Sequence, residues 1–457
     1  MQPKALVSLS ELEHINSDRV IVRSHGMRNE MNTCASNSAD VVIIGAGAVG
    51  ASIAYELSKR GASVIVLDGG KNIGNGCSYA NAGLLAPSHV EPLATPANVA
   101  AGIRYMLSPG SPFYVRPTPR LIPWFARLVA SASPRRVQAM TARMRELAAR
   151  SLQLHEDYST AGLPTGFRKS GSLDVFLTEK LFHQTAGVLR SRPASPTTEE
   201  ILSAAQAREL EPMLGEVAGA IYRPQEAQCG SQDFVRATLE AAEQLGARIF
   251  WNTQVHQLPL ASGRIAAADT NNGRFTADTY VVAAGLGSEQ LCRGVGIRMP
   301  MAGAKGYVVD LAPDGPSPQI PLSFKELKVV ATPYSDRLRL CGTLELGSDP
   351  QAMSARRIQA IRDAGHRGLP ELKVRRTLQT WAGQRPCTAD GVPSLGRSTT
   401  RPNLVVAAGH GMWGLVLAPV TGELIAQGIL EAAPSMHESA FSPDRFGTLR
   451  RFTPNLR

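Results

Sequence analysis

The stretch DVVIIGAGAVGASIAYEL, residues 40–57, decides the fold of this chain. Its first apolar residues are β-branched and predict a buried strand, a glycine-rich turn follows, and small residues then line one face of a predicted helix. A second apolar run, residues 62–67, ends in Asp68. A strand, a turn, a helix and a second strand within roughly thirty residues are typical of the βαβ unit that opens a dinucleotide-binding domain.

Each glycine of this turn has a separate role in such a unit. Gly45 permits the tight turn, Gly47 lets the backbone approach a pyrophosphate, and Gly50 lets the helix pack closely on the strand. The helix N-terminus presents free N–H groups to the phosphates, and Asp68 is placed to accept hydrogen bonds from a ribose. The sequence therefore predicts a dinucleotide site that is formed by Gly45, Ala46, Gly47, Ala48, Val49, Gly50 and Asp68.

Later parts of the chain return to the same sheet. Apolar strands are predicted near residues 279–285 and 403–408, and the second of these runs into a long helix. Two blocks of different character interrupt this domain: residues 89–204 are Pro-rich and then helical, and residues 300–380 alternate apolar and polar residues. We predict an α/β fold with a discontinuous Rossmann-like nucleotide-binding domain (residues 40–88, 205–299 and 381–440) and an inserted α+β substrate domain on an antiparallel sheet (residues 89–204 and 300–380).

Composition narrows the class of protein. Lys and Arg number 48 against 38 Asp and Glu, a net charge of +10, but the basic residues are scattered among few aromatic ones, so we expect no nucleic-acid partner. Six cysteines without a C-x-x-C pair predict no metal site and a reducing, cytoplasmic compartment. Because no run of about 18 uncharged apolar residues occurs, we expect no membrane span. We expect residues 1–39 to be a disordered extension, or sequence upstream of the natural start.

The loop after Asp68 indicates which of the two common dinucleotides, NAD or FAD, the site binds. An NAD enzyme usually continues with further βαβ repeats, whereas this chain continues with GNGCSYANAGLL, whose small residues suit packing against a flat ring. From residue 40 to about residue 432 the chain resembles the D-amino-acid oxidase superfamily of flavoproteins, and most closely its bacterial D-amino-acid dehydrogenase branch. The resemblance rests on five segments in the family's order, which are residues 42–68, 78–83, 305–307, 383–391 and 409–415.

This resemblance implies a cofactor and a reaction. It implies FAD, and an enzyme that oxidises a D-amino acid by hydride transfer from its α-carbon to flavin, which releases a 2-oxo acid and ammonia. A secondary amino acid of the sarcosine, D-proline or hydroxyproline kind stays open, because the carboxylate clamp is the same. A flavin-holding subunit that only transfers electrons within a complex also stays open.

By the same resemblance, several segments line the cofactor. The loop at residues 78–84 lies beside the flavin and its ribityl chain, and the backbone of Val255 contacts adenine. The strand end at residues 283–285 packs along the cofactor. The start of the last long helix, residues 411–415, stabilises the negative charge of reduced flavin. The residues matched in this way are Ser78, Asn81, Ala82, Gly83, Leu84, Val255, Ala283, Ala284, Gly285, Gly411, Met412, Trp413, Gly414 and Leu415.

Four residues are candidates for contact with the substrate. Arg385 matches the family arginine that clamps the α-carboxylate, a task suited to its planar fork of donors. Tyr307 is a candidate second contact to the carboxylate or the amine, or else a core residue of its strand. His410 is a candidate catalytic residue, or else a packing residue of its turn. His89 either tunes substrate choice at the mouth of the site or is an exposed loop histidine.

Two further expectations concern cofactor attachment and electron transfer. Some relatives bind flavin covalently through a cysteine that would fall near Gly383, whereas Cys387 directly precedes Thr388 here, so we predict non-covalent FAD. The resemblance implies that a quinone of the respiratory chain, or oxygen, reoxidises the flavin. The segment from Arg120 to Val129 is apolar with basic residues beside it, and either makes a peripheral contact with an anionic membrane or forms a buried helix.

Overall fold

The structure is a computed structural model that describes residues 37–74, 76–105, 111, 113–191, 199–431 and 440–447. The predicted disorder of residues 1–39 therefore falls almost entirely outside the described residues. The first strand begins at Ser38, slightly before the predicted start of the sheet.

Strands and helices alternate along the described part of the chain. The strands are β1 (Ser38–Ile44), β2 (Val64–Leu67), β3 (Leu84–Leu85), β4 (Phe113–Val115), β5 (Ser172–Phe176), β6 (Glu200–Ser203), β7 (Gly219–Arg223), β8 (Ala227–Gln228), β9 (Arg248–Phe250), β10 (Val255–Gln257), β11 (Leu260–Ala261), β12 (Arg264–Ile265), β13 (Ala268–Thr270), β14 (Gly273–Val282), β15 (Met301–Pro313), β16 (Leu322–Phe324), β17 (Val329–Pro333), β18 (Leu338–Leu346), β19 (Val374–Thr388), β20 (Ser394–Arg397) and β21 (Leu404–Ala408). The helices are α1 (Ala48–Lys59), α2 (Pro96–Tyr105), α3 (Ile122–Ser131), α4 (Pro134–Thr160), α5 (Glu179–Arg190), α6 (Ala204–Leu210), α7 (Ser231–Gln244), α8 (Gly287–Gly294), α9 (Ala355–Gly368) and α10 (Gly414–Leu430).

The smaller of the two main sheets has eight strands and contains the βαβ unit. β1 pairs in parallel with β2 and β14, so that Val42 lies opposite both Ile65 and Tyr280. β21 and β9 extend the parallel part on either side, whereas β10, β13 and β20 make antiparallel pairs. All four residues of β2 are buried, as expected for a parallel strand covered on both faces. The predicted Rossmann-like sheet is confirmed.

Helix α1 packs on this sheet and carries the glycine-rich turn at its N-terminus. Gly50 is a point of close approach, because a Cβ there would collide with the carbonyl oxygen of Gly45. The third glycine of such a turn permits this packing. α7 and α10 pack against α1, and Gly422 of α10 lies directly against the backbone of Ser52.

One helical stretch among the described residues, Gly411–Leu430, is long and apolar enough to cross a membrane by length and composition. It comprises α10 and the short turn before it. Most of the stretch is buried, and α10 packs against α1 and α4. Burial on most sides accounts for an apolar helix without any membrane.

The larger sheet has nine strands in the order β19, β15, β18, β17, β16, β5, β7 and β6, with β4 beside β18. All its pairs are antiparallel except β16 with β5 and β4 with β18. β15 and β19 pair along most of their length, which places Gly306 opposite Gly383 and Ala304 opposite Arg385. The predicted fold class, a Rossmann-like domain with an inserted antiparallel-sheet domain, is confirmed.

The chain does not pass from one sheet to the other at every predicted domain boundary. β7 lies inside the predicted nucleotide-binding segment 205–299, yet it pairs with β5 of the larger sheet. β19 runs across the predicted boundary at residue 381. Apolar periodicity reports the burial of a short strand and not its pairing partner, so the sequence carries no local sign of this assignment. The exact boundaries stay a prediction.

Candidate active site

Two adjoining cavities lie where the sheets meet. The glycine-loop cavity, lined by Gly45, Gly47 and Asp68 among others, has a volume of about 910 Å³. The arginine cavity, lined by Arg385 and Asn81 among others, has a volume of about 690 Å³. They share the lining residues Cys77, Ser78, Trp381, Gly383, Gly411 and Gly414. The two cavities therefore lie on either side of, or beside, these shared residues.

Most residues of the predicted dinucleotide site line the glycine-loop cavity. The turn and Asp68 fix each other, because the Asp68 carboxylate accepts hydrogen bonds from Ala46 N at 2.8 Å and from Gly70 N at 2.7 Å. Ala46 and Gly50 do not line the cavity: Ala46 bonds Asp68, and Gly50 packs on the strand. The predicted residues that do line it are Gly45, Gly47, Ala48, Val49, Asp68, Val255, Ala283, Ala284 and Gly285.

The loop after Asp68 lies between the two cavities. Ser78 Oγ accepts a hydrogen bond from Ala48 N at 3.1 Å, so the loop satisfies a free N–H at the start of α1. Asn81 Oδ1 accepts from Gly83 N at 2.9 Å and closes a turn. Gly83 itself lines neither cavity; it has a φ of 75°, and a Cβ there would collide with the Tyr334 hydroxyl. The predicted loop residues that line the arginine cavity are Ser78, Asn81, Ala82 and Leu84.

A buried ion pair holds this loop against the larger sheet. Arg339 and Asp310 form two parallel hydrogen bonds of 2.8 Å, and both side chains are almost completely buried. Burial alone would raise the pKa of Asp310, but the hydrogen bonds and charge of Arg339 lower it below its usual range. Arg339 Nη1 also donates to the carbonyl oxygen of Asn81 at 2.9 Å. The sequence gives no sign of this pair, since nothing local couples residues so far apart.

Arg385 lies in the wall of the arginine cavity, as the sequence predicts. Its Nη1 donates to the carbonyl oxygen of Thr343 at 3.2 Å. Gly306, on the facing strand, leaves room for the guanidinium, because a Cβ there would overlap it. Among the described residues, Nε and Nη2 have no hydrogen-bond partner, so one edge of the fork is available to a ligand.

Tyr307 lies outside both cavities. Its neighbours Gly306 and Val308 line the arginine cavity, and successive residues of a strand point to opposite faces. The Tyr307 ring is in the hydrophobic core, and its hydroxyl donates to Glu345 Oε2 at 2.9 Å. Burial and this carboxylate raise the pKa of Tyr307 well above its usual value. The structure therefore favours the core alternative over contact with the substrate.

His410 lines the glycine-loop cavity but is almost fully buried. Its Nε2 lies 3.1 Å from Thr421 Oγ1 of α10. Burial lowers the pKa of His410 to about 4, so the ring is neutral at neutral pH. A neutral ring bonded to a helix suits the packing alternative, and a catalytic role stays a prediction.

The segment from Gly411 to Leu415 opens the last long helix. Residues 411–413 form a 3-10 turn and α10 begins at Gly414. All five predicted residues, Gly411, Met412, Trp413, Gly414 and Leu415, line the arginine cavity. Trp413 Nε1 donates to the carbonyl oxygen of Glu91 at 2.8 Å, which fixes the ring at the cavity wall.

Among the residues that line both cavities, three were not predicted, namely Cys77, Trp381 and Gly383. Burial raises the pKa of the Cys77 thiol. The Cys387 thiol lines neither cavity, and burial raises its pKa to about 12. Among the described residues, no group of three His, Cys, Asp or Glu side chains is arranged to hold a metal ion.

The model of the FAD-dependent oxidoreductase (DAO) family matches residues 40–428. This chain belongs to that family. It is 31% identical over 434 residues to a D-amino acid dehydrogenase of Paramagnetospirillum magneticum, which covers 91% of this chain and 99% of that protein. It is 30% identical over 403 residues to a D-amino acid dehydrogenase of Vibrio cholerae, covering 85% and 94%. The solved glycine oxidase of Geobacillus kaustophilus is 27% identical, with a TM-score of 0.69 over 89% of this chain and 99% of that one.

The glycine-loop cavity fits the FAD that the family uses, and the predicted cofactor is confirmed. Gly45 and Gly47 leave the backbone bare at the cavity wall, and α1 directs the free N–H groups of its first turn there. The Asp68 carboxylate lines the same wall. The predicted roles of the individual residues remain proposals.

Proposed function

We propose that this enzyme oxidises D-amino acids to 2-oxo acids and ammonia. The observation that carries this proposal is the placement of Arg385 in a cavity that adjoins the cofactor cavity, with Ser78, Gly411 and Gly414 lining both. A fixed cation beside the cofactor suits a substrate with a carboxylate next to the bond that is oxidised. The D-amino acid dehydrogenases among the relatives support the D-stereochemistry.

Arg385 binds and orients the substrate in this scheme. Its free edge holds the α-carboxylate, while apolar walls at Leu84, Val308 and Leu344 exclude water from the adjacent α-carbon. Bound FAD supplies the acceptor for the hydride that leaves this carbon. The amine loses a proton, and water hydrolyses the resulting imine to the 2-oxo acid and ammonia.

The start of α10 supports the same chemistry. Gly411 and Gly414 line both cavities, so the N-terminal end of α10 brings partial positive charge to the place where the cavities meet. Positive potential at that place stabilises the negative charge that substrate oxidation leaves there.

For reoxidation we propose a membrane quinone, reached by an enzyme attached peripherally to the cytoplasmic face. The support is α3, in which Ile122 and Val129 are exposed while Trp124 and Leu128 are buried. An exposed apolar face in a segment that also carries arginines suits an anionic membrane surface. We expect the protein to sediment with phosphatidylglycerol vesicles and not with phosphatidylcholine vesicles. Equal recovery in both supernatants would contradict the contact.

Steady-state turnover tests the proposed reaction. The purified enzyme is mixed with an artificial quinone and with matched D- and L-amino acids, and 2-oxo acid and ammonia are quantified. We expect kcat/KM for the D-isomer of at least one amino acid to exceed that for its L-isomer about a hundredfold, a difference of roughly 2.7 kcal/mol. Sarcosine and D-proline in the same panel test the secondary-amine alternative. Oxidation of L-isomers only, or of no amino acid, would refute the proposal.

A further inference from the structure

One end of the arginine cavity is polar. His89 lines it from a short helical turn, Pro87–His89. Glu326 and Lys328 line it from the hairpin turn that joins β16 to β17. Arg385 lines the same cavity from a different element, β19. The cavity therefore has a second set of polar groups that the clamp on the α-carboxylate does not use.

His89 is held in place by a buried carboxylate. Its Nε2 lies 3.1 Å from Asp174 Oδ1, and the Asp174 side chain is only 3% exposed. Asp174 also bonds Arg223 at 2.7 Å and Lys325 at 3.2 Å. Burial alone would raise the pKa of Asp174, but His89, Lys325 and Arg223 hold it well below its usual range. The exposed-loop alternative for His89 is therefore wrong.

An ionised Asp174 determines which ring nitrogen of His89 is available. The carboxylate accepts a hydrogen bond from Nε2–H, as carboxylates that orient histidines do, and this leaves Nδ1 with a free lone pair. Among the described residues, Nδ1 has no hydrogen-bond partner. His89 contributes to the wall of the arginine cavity, so a cavity ligand can reach this ring.

Lys328 is the second group without a partner at this end. Its φ is 54°, a left-handed conformation that residues other than glycine rarely adopt. Within the described residues its ammonium makes no hydrogen bond or ion pair. Glu326 differs, since its carboxylate accepts from Leu177 N at 3.1 Å and from Thr178 N at 3.0 Å.

A side-chain hydroxyl satisfies both free groups, since it donates to Nδ1 and accepts from the Lys328 ammonium, and a side-chain carboxylate accepts from the ammonium. We propose that His89 and Lys328 form a subsite for an oxygen atom on the substrate side chain, so that the enzyme prefers amino acids whose side chain carries a hydroxyl or a carboxylate. This inference rests on the proposed amino-acid oxidation. Binding sites built to hydrogen-bond an oxygen reject analogues that lack it, because the polar groups of the site are then left unpaired.

Isosteric substrate pairs test the subsite. D-threonine against D-valine tests a hydroxyl, and D-aspartate against D-leucine tests a carboxylate; 4-hydroxy-D-proline against D-proline extends the hydroxyl arm to secondary amines. We expect kcat/KM for the oxygen-bearing partner to be at least about tenfold higher in one arm, and that arm identifies the group. Ratios of one or less in every arm would overturn the proposal.

Two variants assign the preference to these residues. His89→Phe keeps a ring but removes both nitrogens, and Lys328→Met keeps the length of the chain but removes its charge. Each should bring the preferred ratio at least threefold closer to one. The matched controls are His183→Phe and Lys180→Met on α5. They change exposed residues that do not line the arginine cavity, and they should keep the wild-type ratio. An unchanged ratio in both test variants would overturn the assignment.

The same panel separates failure of the subsite from failure of the proposed function. If the two partners of every pair are oxidised equally well, the reaction stands and the subsite is refuted. If no amino acid is oxidised although FAD is bound, the proposed function is refuted and the subsite with it. If a variant loses its FAD, the wild-type ratios still decide the preference.

Discussion

Arg385 Nη1 donates a hydrogen bond to the carbonyl oxygen of Thr343, 3.2 Å away, and Thr343 has a φ of 69°. The register between β15 and β18 shifts beside this residue, so that two residues of β18, Thr343 and Leu344, lie opposite the single residue Gly306. A bulge re-aims backbone groups beside a site. Here it offers a carbonyl that fixes Nη1 of the guanidinium, while Gly306, which has no Cβ, leaves the space that the guanidinium occupies.

Removing the Arg385 guanidinium should abolish productive substrate binding without loss of the cofactor. We expect Arg385→Ala to retain FAD and to lower kcat/KM for D-amino acids at least about a hundredfold, because a charged, bidentate contact to the carboxylate is lost. Arg385→Lys should recover only part of this, since an ammonium lacks the fork.

The matched control for this prediction is Arg376→Ala, an exposed arginine on the same strand. It should keep wild-type kinetics. Activity of Arg385→Ala within two- or threefold of the wild type would show that another group binds the carboxylate.

The Asp310–Arg339 pair should contribute strongly to stability. Arg339→Met removes two hydrogen bonds from the buried Asp310 carboxylate, which among the described residues keeps only Gln379 Nε2 at 2.7 Å and Arg337 Nε at 3.6 Å. This should lower the free energy of unfolding in urea by about 3 kcal/mol. The double variant Asp310→Asn, Arg339→Met should be less destabilised than Arg339→Met. The exposed pair Asp314–Arg375 is the control, because Arg375→Met should cost less than about 1 kcal/mol. A loss for Arg339→Met that is no greater than the control would contradict the interpretation.

Two buried histidines should make the fold sensitive to mild acid. Burial lowers the pKa values of His155 and His410 to about 4, below the value near 6.5 of an unfolded chain. As the pH falls through 6.5, the unfolded state takes up protons that the folded state does not, so stability falls with pH. Between pH 7.5 and 5 each histidine should lower the free energy of unfolding by about 2 kcal/mol.

Urea unfolding at both pH values measures this effect. His410→Gln should reduce the difference between the two pH values, whereas the exposed His183→Gln should not. An identical pH dependence in the wild type and His410→Gln would contradict it.

The flavin should be released by acid. Covalent attachment to cysteine begins with a thiolate, and burial raises the pKa values of both Cys77 and Cys387. After trichloroacetic acid precipitation we expect FAD in the supernatant and a colourless pellet. A yellow pellet would indicate a covalent bond, which Cys77→Ser and Cys387→Ser would locate.

Local patterns were enough to predict the Rossmann-like unit, because the strand, turn and helix around Gly45 are contiguous in sequence. The prediction of Arg385 at the cavity came from a resemblance to relatives. Tyr307 shows the limit of prediction from resemblance. Its side chain points into the core because successive residues of a strand face opposite sides, and only the register between β15 and β19 reveals which side of the strand meets the cavity. The same limit hid the contact of His89 with Asp174, which joins residues from separate elements.

Anaerobic reduction of the enzyme by its substrate is the most direct measurement of the proposed reaction. The purified enzyme with its own FAD is mixed with a D-amino acid in the absence of oxygen and quinone, and the absorbance of oxidised flavin is followed. We predict full reduction with one equivalent of 2-oxo acid per flavin, and no reduction over the same time by the L-isomer or in Arg385→Ala. Flavin that stays oxidised with every amino acid tested would instead identify an electron-transfer subunit without amine-oxidising activity of its own.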